Sequence, residues 1–264
     1  MTVIDAHTHA FPDELSEKAI KKLEEISHCK AFGDGSIVSL KKQMKKNSIS
    51  KSVVATVATK KGQSEGILKW CEDLLKDPDL FVLASVHPDD DFYSLLPKIK
   101  KMGFCGVKLH PFYQNFFPDE ERMKPYFELC ADLGLVVLLH SGNDIAFSHS
   151  DRASPKRLVR LINSVQNLKI VAAHFGGWFM WQESFDLLYK VNIYIDTSFV
   201  RGYITDSLAE KFFKYFSDRI VFGSDYPWSN PYYDIRFVED FVSSDKEKEK
   251  IFYNNWNRLI NKNT

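Results

Sequence analysis

Two histidines stand two residues apart near the N-terminus, in Asp5-Ala6-His7-Thr8-His9. Residues i and i+2 of a strand face one side, so both imidazoles would point the same way, about 6.6–6.8 Å apart along the chain. So placed, they can converge on one divalent ion at metal–nitrogen distances of about 2.0–2.1 Å. The triplet by itself is a weak motif, and its position at the end of a strand signal is what strengthens it. His140 closes Val-Val-Leu-Leu-His-Ser-Gly, His174 closes Val-Ala-Ala-His-Phe-Gly-Gly, and Asp225 stands in Gly-Ser-Asp-Tyr-Pro-Trp. A histidine satisfied within the core is the plain alternative for His140 and His174, and an Asx-turn or cap is the plain alternative for Asp225. Lys108 and His110 alternate in Gly-Val-Lys-Leu-His-Pro and so share a face.

Positioning these groups requires elements that end together. Short β-branched and apolar runs predict strands over residues 3–6, 52–57, 80–86, 106–109, 135–139, 170–173, 193–196 and 220–222. Between them lie amphipathic stretches: a first one with Leu15, Ala19, Leu23 and Ile26 on one face, then 64–76, 92–102, 121–132, 154–165, 183–190 and 206–216, with a last one over 246–260. Gly103, Gly134 and Asp77-Pro78 punctuate them as helix ends should. Eight β-then-α units in this length predict an α/β fold, a closed (β/α)8 TIM barrel, as one domain over residues 1–264. A doubly wound open sheet is the rival, but His-Thr-His-Ala-Phe-Pro follows the first strand where a GxGxxG turn would stand. Six of the 8 histidines (His7, His9, His87, His110, His140, His174) fall at or just past a strand's C-terminal end. In a barrel those ends share one mouth, where active sites are built. Asp225 ends the eighth strand, the neighbour of the first in a closed barrel, and so stands beside His7 and His9.

Composition excludes several partners. Lys+Arg and Asp+Glu are both 35, a net charge of +0 that leaves no electrostatic footprint for nucleic acid or an anionic membrane. No apolar run approaches the roughly 20 residues of a spanning helix. Cys29, Cys71, Cys105 and Cys130 lack CxxC spacing and sit in helix or strand signals, the pattern of a reduced, cytoplasmic protein. Aromatic residues reach 14% and crowd the segments after the strands.

His-x-His after strand one, a histidine after strands five and six and an aspartate after strand eight resemble the amidohydrolase superfamily of metal-dependent barrels. Gly106-Val107-Lys108-Leu109-His110-Pro111, the His-x-Gly-Gly at His174, Gly223-Ser224-Asp225-Tyr226-Pro227 and the closing Tyr253-Asn254-Asn255-Trp256-Asn257-Arg258-Leu259 are similar to its second group, which contains the amino-carboxymuconate-semialdehyde decarboxylase relatives. The resemblance runs over essentially the whole chain.

It implies one divalent ion, zinc by expectation, held by His7, His9, His140 and Asp225. His174 would orient or deprotonate the metal-bound water, and Asp225 would share that proton work. A ligated zinc ion makes hydroxide available at neutral pH, so the first expectation is a hydrolase attacking a C–N or C–O bond of a small organic substrate. The alternatives are a non-oxidative decarboxylase of an aromatic or unsaturated acid, using nearly the same residues, and a metal-binding barrel without turnover. Lys108 has two readings: a carboxylated lysine bridging two ions, or an unmodified ammonium holding a substrate carboxylate or carbonyl. His110 would add a ligand to a second ion or bind substrate, whereas His87 reads as mouth-lining or structural. Phe112, Gln114, Trp178, Arg201 and Trp228 follow strands four, six, seven and eight, where flat or apolar groups and a carboxylate would be recognised. Aromatic loop residues also suit an oligomer interface, and a homodimer stays open.

Overall fold

In the computed structural model, residues 1–261 are described. The single-domain expectation extended to residue 264, and its last three positions lie outside the described residues. Eight strands, β1 (Ile4–Thr8), β2 (Lys51–Ala55), β3 (Leu80–Ala84), β4 (Gly106–Leu109), β5 (Val136–Leu139), β6 (Lys169–Ala172), β7 (Tyr194–Asp196) and β8 (Ile220–Val221), pair in sequence order, all in parallel. Backbone bonds then close the ring: Ala6 N donates to the Phe222 carbonyl at 2.7 Å, Asp225 N to His7 at 2.8 Å and His9 N to Tyr226 at 2.6 Å. The (β/α)8 barrel expected from the alternation is therefore the fold.

The strands are short and buried on both faces, as parallel sheets with helices outside must be. Ile4, Ala6, Val53, Ala55, Leu83, Val136, Leu138, Val171 and Val221 fill the barrel interior. Their sequence neighbours Val54, Val107, Val137, Leu139, Ile170 and Ile220 pack outward under the helices. The final helix α11 (Asn255–Asn261) stops the end where the strands begin: Trp256 is 1% exposed within the interior cluster, and the Asn255 side-chain amide donates to the Ser217 and Ile220 carbonyls.

The outer helices are α1 (Asp13–Ser27), α2 (Ile37–Lys46), α3 (Ser64–Leu74), α4 (Phe92–Met102), α5 (Lys124–Asp132), α6 (Pro155–Ser164), α7 (Trp181–Leu188), α8 (Asp206–Tyr215), α9 (Pro231–Phe241) and α10 (Asp245–Glu249). Two were not expected. In α2 only Leu40 and Met44 are buried, too few apolar positions for a periodic signal, and the Ser36 hydroxyl that caps it is a common loop residue. In α9 the buried positions include Pro231 and Asp234, which do not register as an apolar stripe. With α2 completing the first β–α unit, α1 is an additional helix lying after β1, beside the mouth.

Candidate metal centre and its cavity

Plain alternation from the interior residues accounts for some of the site and fails for the rest. Gly106, Lys108 and His110 continue one inward series, and so do Val136, Leu138 and His140, and Val221, Gly223 and Asp225. In β1 the inward residues are Ile4 and Ala6, so alternation would send His7 outward. The register between β1 and β2 slips instead: Asp5 pairs with Ser52 and Thr8 with Val54, leaving one extra residue in β1. Such a bulge re-aims side chains. It turns His7 and His9 into the barrel while the Thr8 hydroxyl bonds the Val53 carbonyl at 2.8 Å. His174 is likewise out of phase with Val171 and Ala173, and its left-handed backbone, φ 61°, brings it back. Asp225 also sits at positive φ, 65°, so both residues expected to handle protons occupy conformations that cost of order 1–3 kcal/mol. Gly223 is required by close approach, since a Cβ there would lie 2.8 Å from the His7 Cβ.

The hydrogen bonds settle which nitrogens face the centre. His7 Nδ1 lies 2.8 Å from Asp196 Oδ2, and His9 Nδ1 lies 2.8 Å from the Ala55 carbonyl; both partners are acceptors, so each Nδ1 carries the proton and each Nε2 presents a lone pair. Both lone pairs meet the same carboxylate oxygen: Asp225 Oδ1 is 3.1 Å from His9 Nε2 and 3.4 Å from His7 Nε2. Burial, then the Lys108 charge, lowers His7 to about 4, so the ring is neutral. Two lone pairs and an anionic oxygen within 4.8 Å of one another are mutually repulsive unless a cation lies between them. The donor set thus fits the divalent ion that the sequence implied, with three protein ligands and an open position, the pattern of a catalytic site.

His140 was expected as the fourth ligand. His140 comes within the same span of His110 and Asp144, not of His7, His9 and Asp225. Its Nδ1 is 3.2 Å from His174 Nε2, and the His174 Nδ1 is 2.9 Å from the Ser198 carbonyl. Lys108 is 1% exposed, with its amine 3.0 Å from His7 Nε2; burial lowers it to about 8.

Sequence reasoning missed Asp196. Besides orienting His7, its carboxylate accepts from the His174 backbone N–H at 2.8 Å and from Ser198. Burial would raise its pKa, but His7, His174 and Ser198 hold it ionised, below the usual range. The signal was available: Tyr194, Asp196 and Ser198 alternate at the end of β7, and an inward acid at that level is unusual. Asp196→Asn is expected to weaken zinc binding at this centre about 10–100-fold, as loss of an orienting carboxylate does. Competition of the stripped protein against a chromophoric chelator measures this, and unchanged affinity would deny Asp196 the role.

A cavity of about 830 Å³ opens above the centre. His7, His9, Lys108, His110, His140, His174 and Asp225 line its floor; Tyr113, Trp178, Phe199 and Trp228 line its walls, and it runs on between α1 and α3 past Leu23, Ile67 and Trp70. Trp178 and Trp228 were expected there. Phe112, Gln114 and Arg201 were too, but they do not line it. Phe112 packs edge-on to His140 with centroids 5.9 Å apart. The Gln114 amide is spent on the backbone N–H of His110, at 2.7 Å. Arg201 lies 3.7 Å from Asp234 and stacks on Tyr233. His87 does not line the cavity, and its Nδ1 accepts from the Asp89 N–H at 3.2 Å.

Asp234 behind Arg201 yields a pH test. Burial pushes its carboxyl up to about 8, although Ser229 and Arg201 pull it down. The unfolded chain ionises this group near about 3.9, so the folded state binds the proton more tightly. Its contribution to stability is complete below the unfolded pKa and is lost as pH rises through about 8. The urea midpoint of the wild type should therefore fall relative to that of Asp234→Asn between pH 4 and 8; a constant gap would refute the shift.

Comparison with known proteins agrees with this architecture. The model of the amidohydrolase family matches residues 4–261. No curated protein sequence matches the chain. Among solved structures, an uncharacterized TIM-barrel protein from Bordetella bronchiseptica is similar at 17% identity, over 98% of each chain, with a TM-score of 0.79. A dihydroxybenzoic acid decarboxylase from Polaromonas sp. JS666, with bound manganese and the inhibitor 2-nitroresorcinol, is similar at 17% identity over 100% of this chain and 98% of its own, TM-score 0.73. A probable 2-pyrone-4,6-dicarboxylic acid hydrolase from Acinetobacter baumannii is similar at 19% identity over 98% and 99%, TM-score 0.67. At these identities the likeness is one of fold. Among the described residues, no helix is long and apolar enough to cross a membrane.

Proposed function

The chain belongs to the amidohydrolase family, and from that premise we propose that it is a metal-dependent hydrolase cleaving a C–N or C–O bond of a small organic substrate. The observation that carries the reading is the convergence of the His7 and His9 Nε2 lone pairs on Asp225 Oδ1. His7, His9 and Asp225 would hold the ion, with zinc the expected metal for two imidazoles and a carboxylate. When bound, such an ion supplies Lewis acidity, polarising an oxygen at the site.

The chain's own residues supply the rest. His174 lines the cavity floor with Nδ1 held by Ser198 and Nε2 3.2 Å from His140 Nδ1, so this ring pair would take a proton and return it to a leaving group. The buried Lys108 amine, beside His7, offers a donor to a developing oxyanion or a substrate carboxylate. Trp178 lines the cavity, and its buried indole N–H has no acceptor among the described residues, so it suits a substrate oxygen. Tyr113, Phe199 and Trp228 favour a flat or apolar substrate body and limit water around it.

Non-oxidative decarboxylation of an aromatic or unsaturated acid is the second reading. The Polaromonas structure named a decarboxylase favours it, as does a buried amine placed to hold a carboxylate. A panel of lactones, amides, esters and aromatic acids, followed for hydrolysis products and for released CO2, separates the two. Hydrolysis without CO2 is expected. CO2 from an aromatic acid with no hydrolysis elsewhere would replace the first reading by the second.

A further inference from the structure

We propose that the arm of the cavity between α1 and α3 selects substrates carrying an extended apolar chain, with the reacting group at the His7–His9–Asp225 centre and the chain laid between the two helices. The inference rests on the metal-dependent hydrolase reading above, which anchors the polar end of the substrate. A cavity of about 150 Å³ suffices for benzene. The volume of about 830 Å³ here exceeds what one ring at the metal would fill, and the surplus has a direction. From the floor at His7 and His9 the lining continues to Leu15 and Leu23 of α1 on one side, and to Gly66, Ile67 and Trp70 of α3 on the other.

Both walls suit an apolar guest better than they serve the core. The additional helix α1 carries Leu15, Ala19, Leu23 and Ile26 on one face, a stripe that would ordinarily be turned to the core. The helix buries Ser16 and Ile20 instead, leaving Leu15 51% exposed and Leu23 half-buried at the cavity. Across the gap, Gly66, Ile67, Trp70 and Asp73 share one face of α3 over about 10 Å. A Cβ at Gly66 would meet no atom within 4 Å, so the glycine keeps the arm wide at a cost in helix propensity. The lining ends in water at Lys69 and Asp73, both exposed, which limits the apolar length to that of a medium alkyl chain. Contiguous exposed apolar surface with a polar rim marks a binding groove. Because this groove is continuous with the cavity above the metal centre, its occupant is part of the substrate rather than a separate partner.

The test measures binding by calorimetry with two hydroxamates, whose common head chelates zinc and whose tails differ in length. Zinc-loaded protein should bind octanohydroxamate about 50-fold more tightly than acetohydroxamate, roughly twofold for each added methylene. Complete burial would give about fourfold each, but Leu15 keeps the arm partly open to water. Gly66→Leu, which fills the arm, and Leu23→Asp, which puts a charge in it, should each cut the advantage below about fivefold, the ratio being taken within each variant. Circular dichroism and thermal midpoints show that each variant is folded, and either one suffices if the other is not. Equal affinity for the two hydroxamates in the wild type overturns the proposal, and so does an advantage kept in both variants. Acetohydroxamate bound only with zinc, and octanohydroxamate no tighter, removes the arm and leaves the proposed function standing. Octanohydroxamate bound equally with and without zinc, yet weakened in Gly66→Leu, keeps the arm and denies the metal-centred reading. A wild-type dimer in sedimentation that Leu23→Asp dissociates, with no length advantage, gives the α1 stripe to a second copy of the chain and overturns the proposal.

Discussion

Asp225→Asn is expected to remove the ion held between the first and last strands and to lower kcat/KM about a thousandfold, close to 4 kcal/mol of transition-state stabilisation. The neutral amide is nearly the same size, so the barrel should stay folded, but it no longer supplies the anionic oxygen on which His7 Nε2 and His9 Nε2 converge at 3.4 and 3.1 Å. Asp225 also offsets the buried Lys108 charge, so removing it raises the cost of any cation at the cavity floor. The zinc count and the rate on a substrate from the panel are read together. An Asn variant that keeps its full rate would show that the reaction does not depend on this centre.

His174→Asn is expected to cost about 10²–10⁴ in kcat, the range for loss of a positioned acid–base group, while the zinc at the His7–His9–Asp225 centre stays bound. Asparagine is chosen because it tolerates the left-handed backbone at this position, whereas alanine would add conformational strain to the chemical loss. The effect should fall on kcat more than on KM, since the imidazole Nε2 is asked to move a proton rather than to bind substrate. Loss of zinc from that centre would make His174 a ligand instead. Unchanged turnover would return it to a purely structural role beneath Ser198 and His140.

Much of this was legible in the residues. Eight apolar runs separated by amphipathic stretches dictate parallel strands with helices outside, because a strand buried on both faces has no polar positions to show. The gathering of histidines at strand ends dictates a mouth, because those ends of parallel strands open on one side. Lys108, His110, His140 and Asp225 follow from alternation counted back to the interior residues of their own strands. Two helices escaped because α2 and α9 bury too few regularly spaced apolar residues to declare themselves.

The sequence by itself determined the barrel, the family resemblance and the residue types that meet at its mouth, all of which depend on local periodicity and chain order. Only the tertiary structure decided which of them face one another. The extra residue in the first strand that turns His7 and His9 inward depends on how that strand pairs with the second, not on its own residues. The left-handed turn that returns His174 to the cavity is held by bonds to β7. The convergence of His7 and His9 on Asp225 depends on acceptors at Asp196 and Ala55 that fix the two ring protons. Those acceptors are distant in sequence from most of the rings they orient. No spacing rule connects them, and the lone pairs that give the centre its chemistry exist only once the chain has closed on itself.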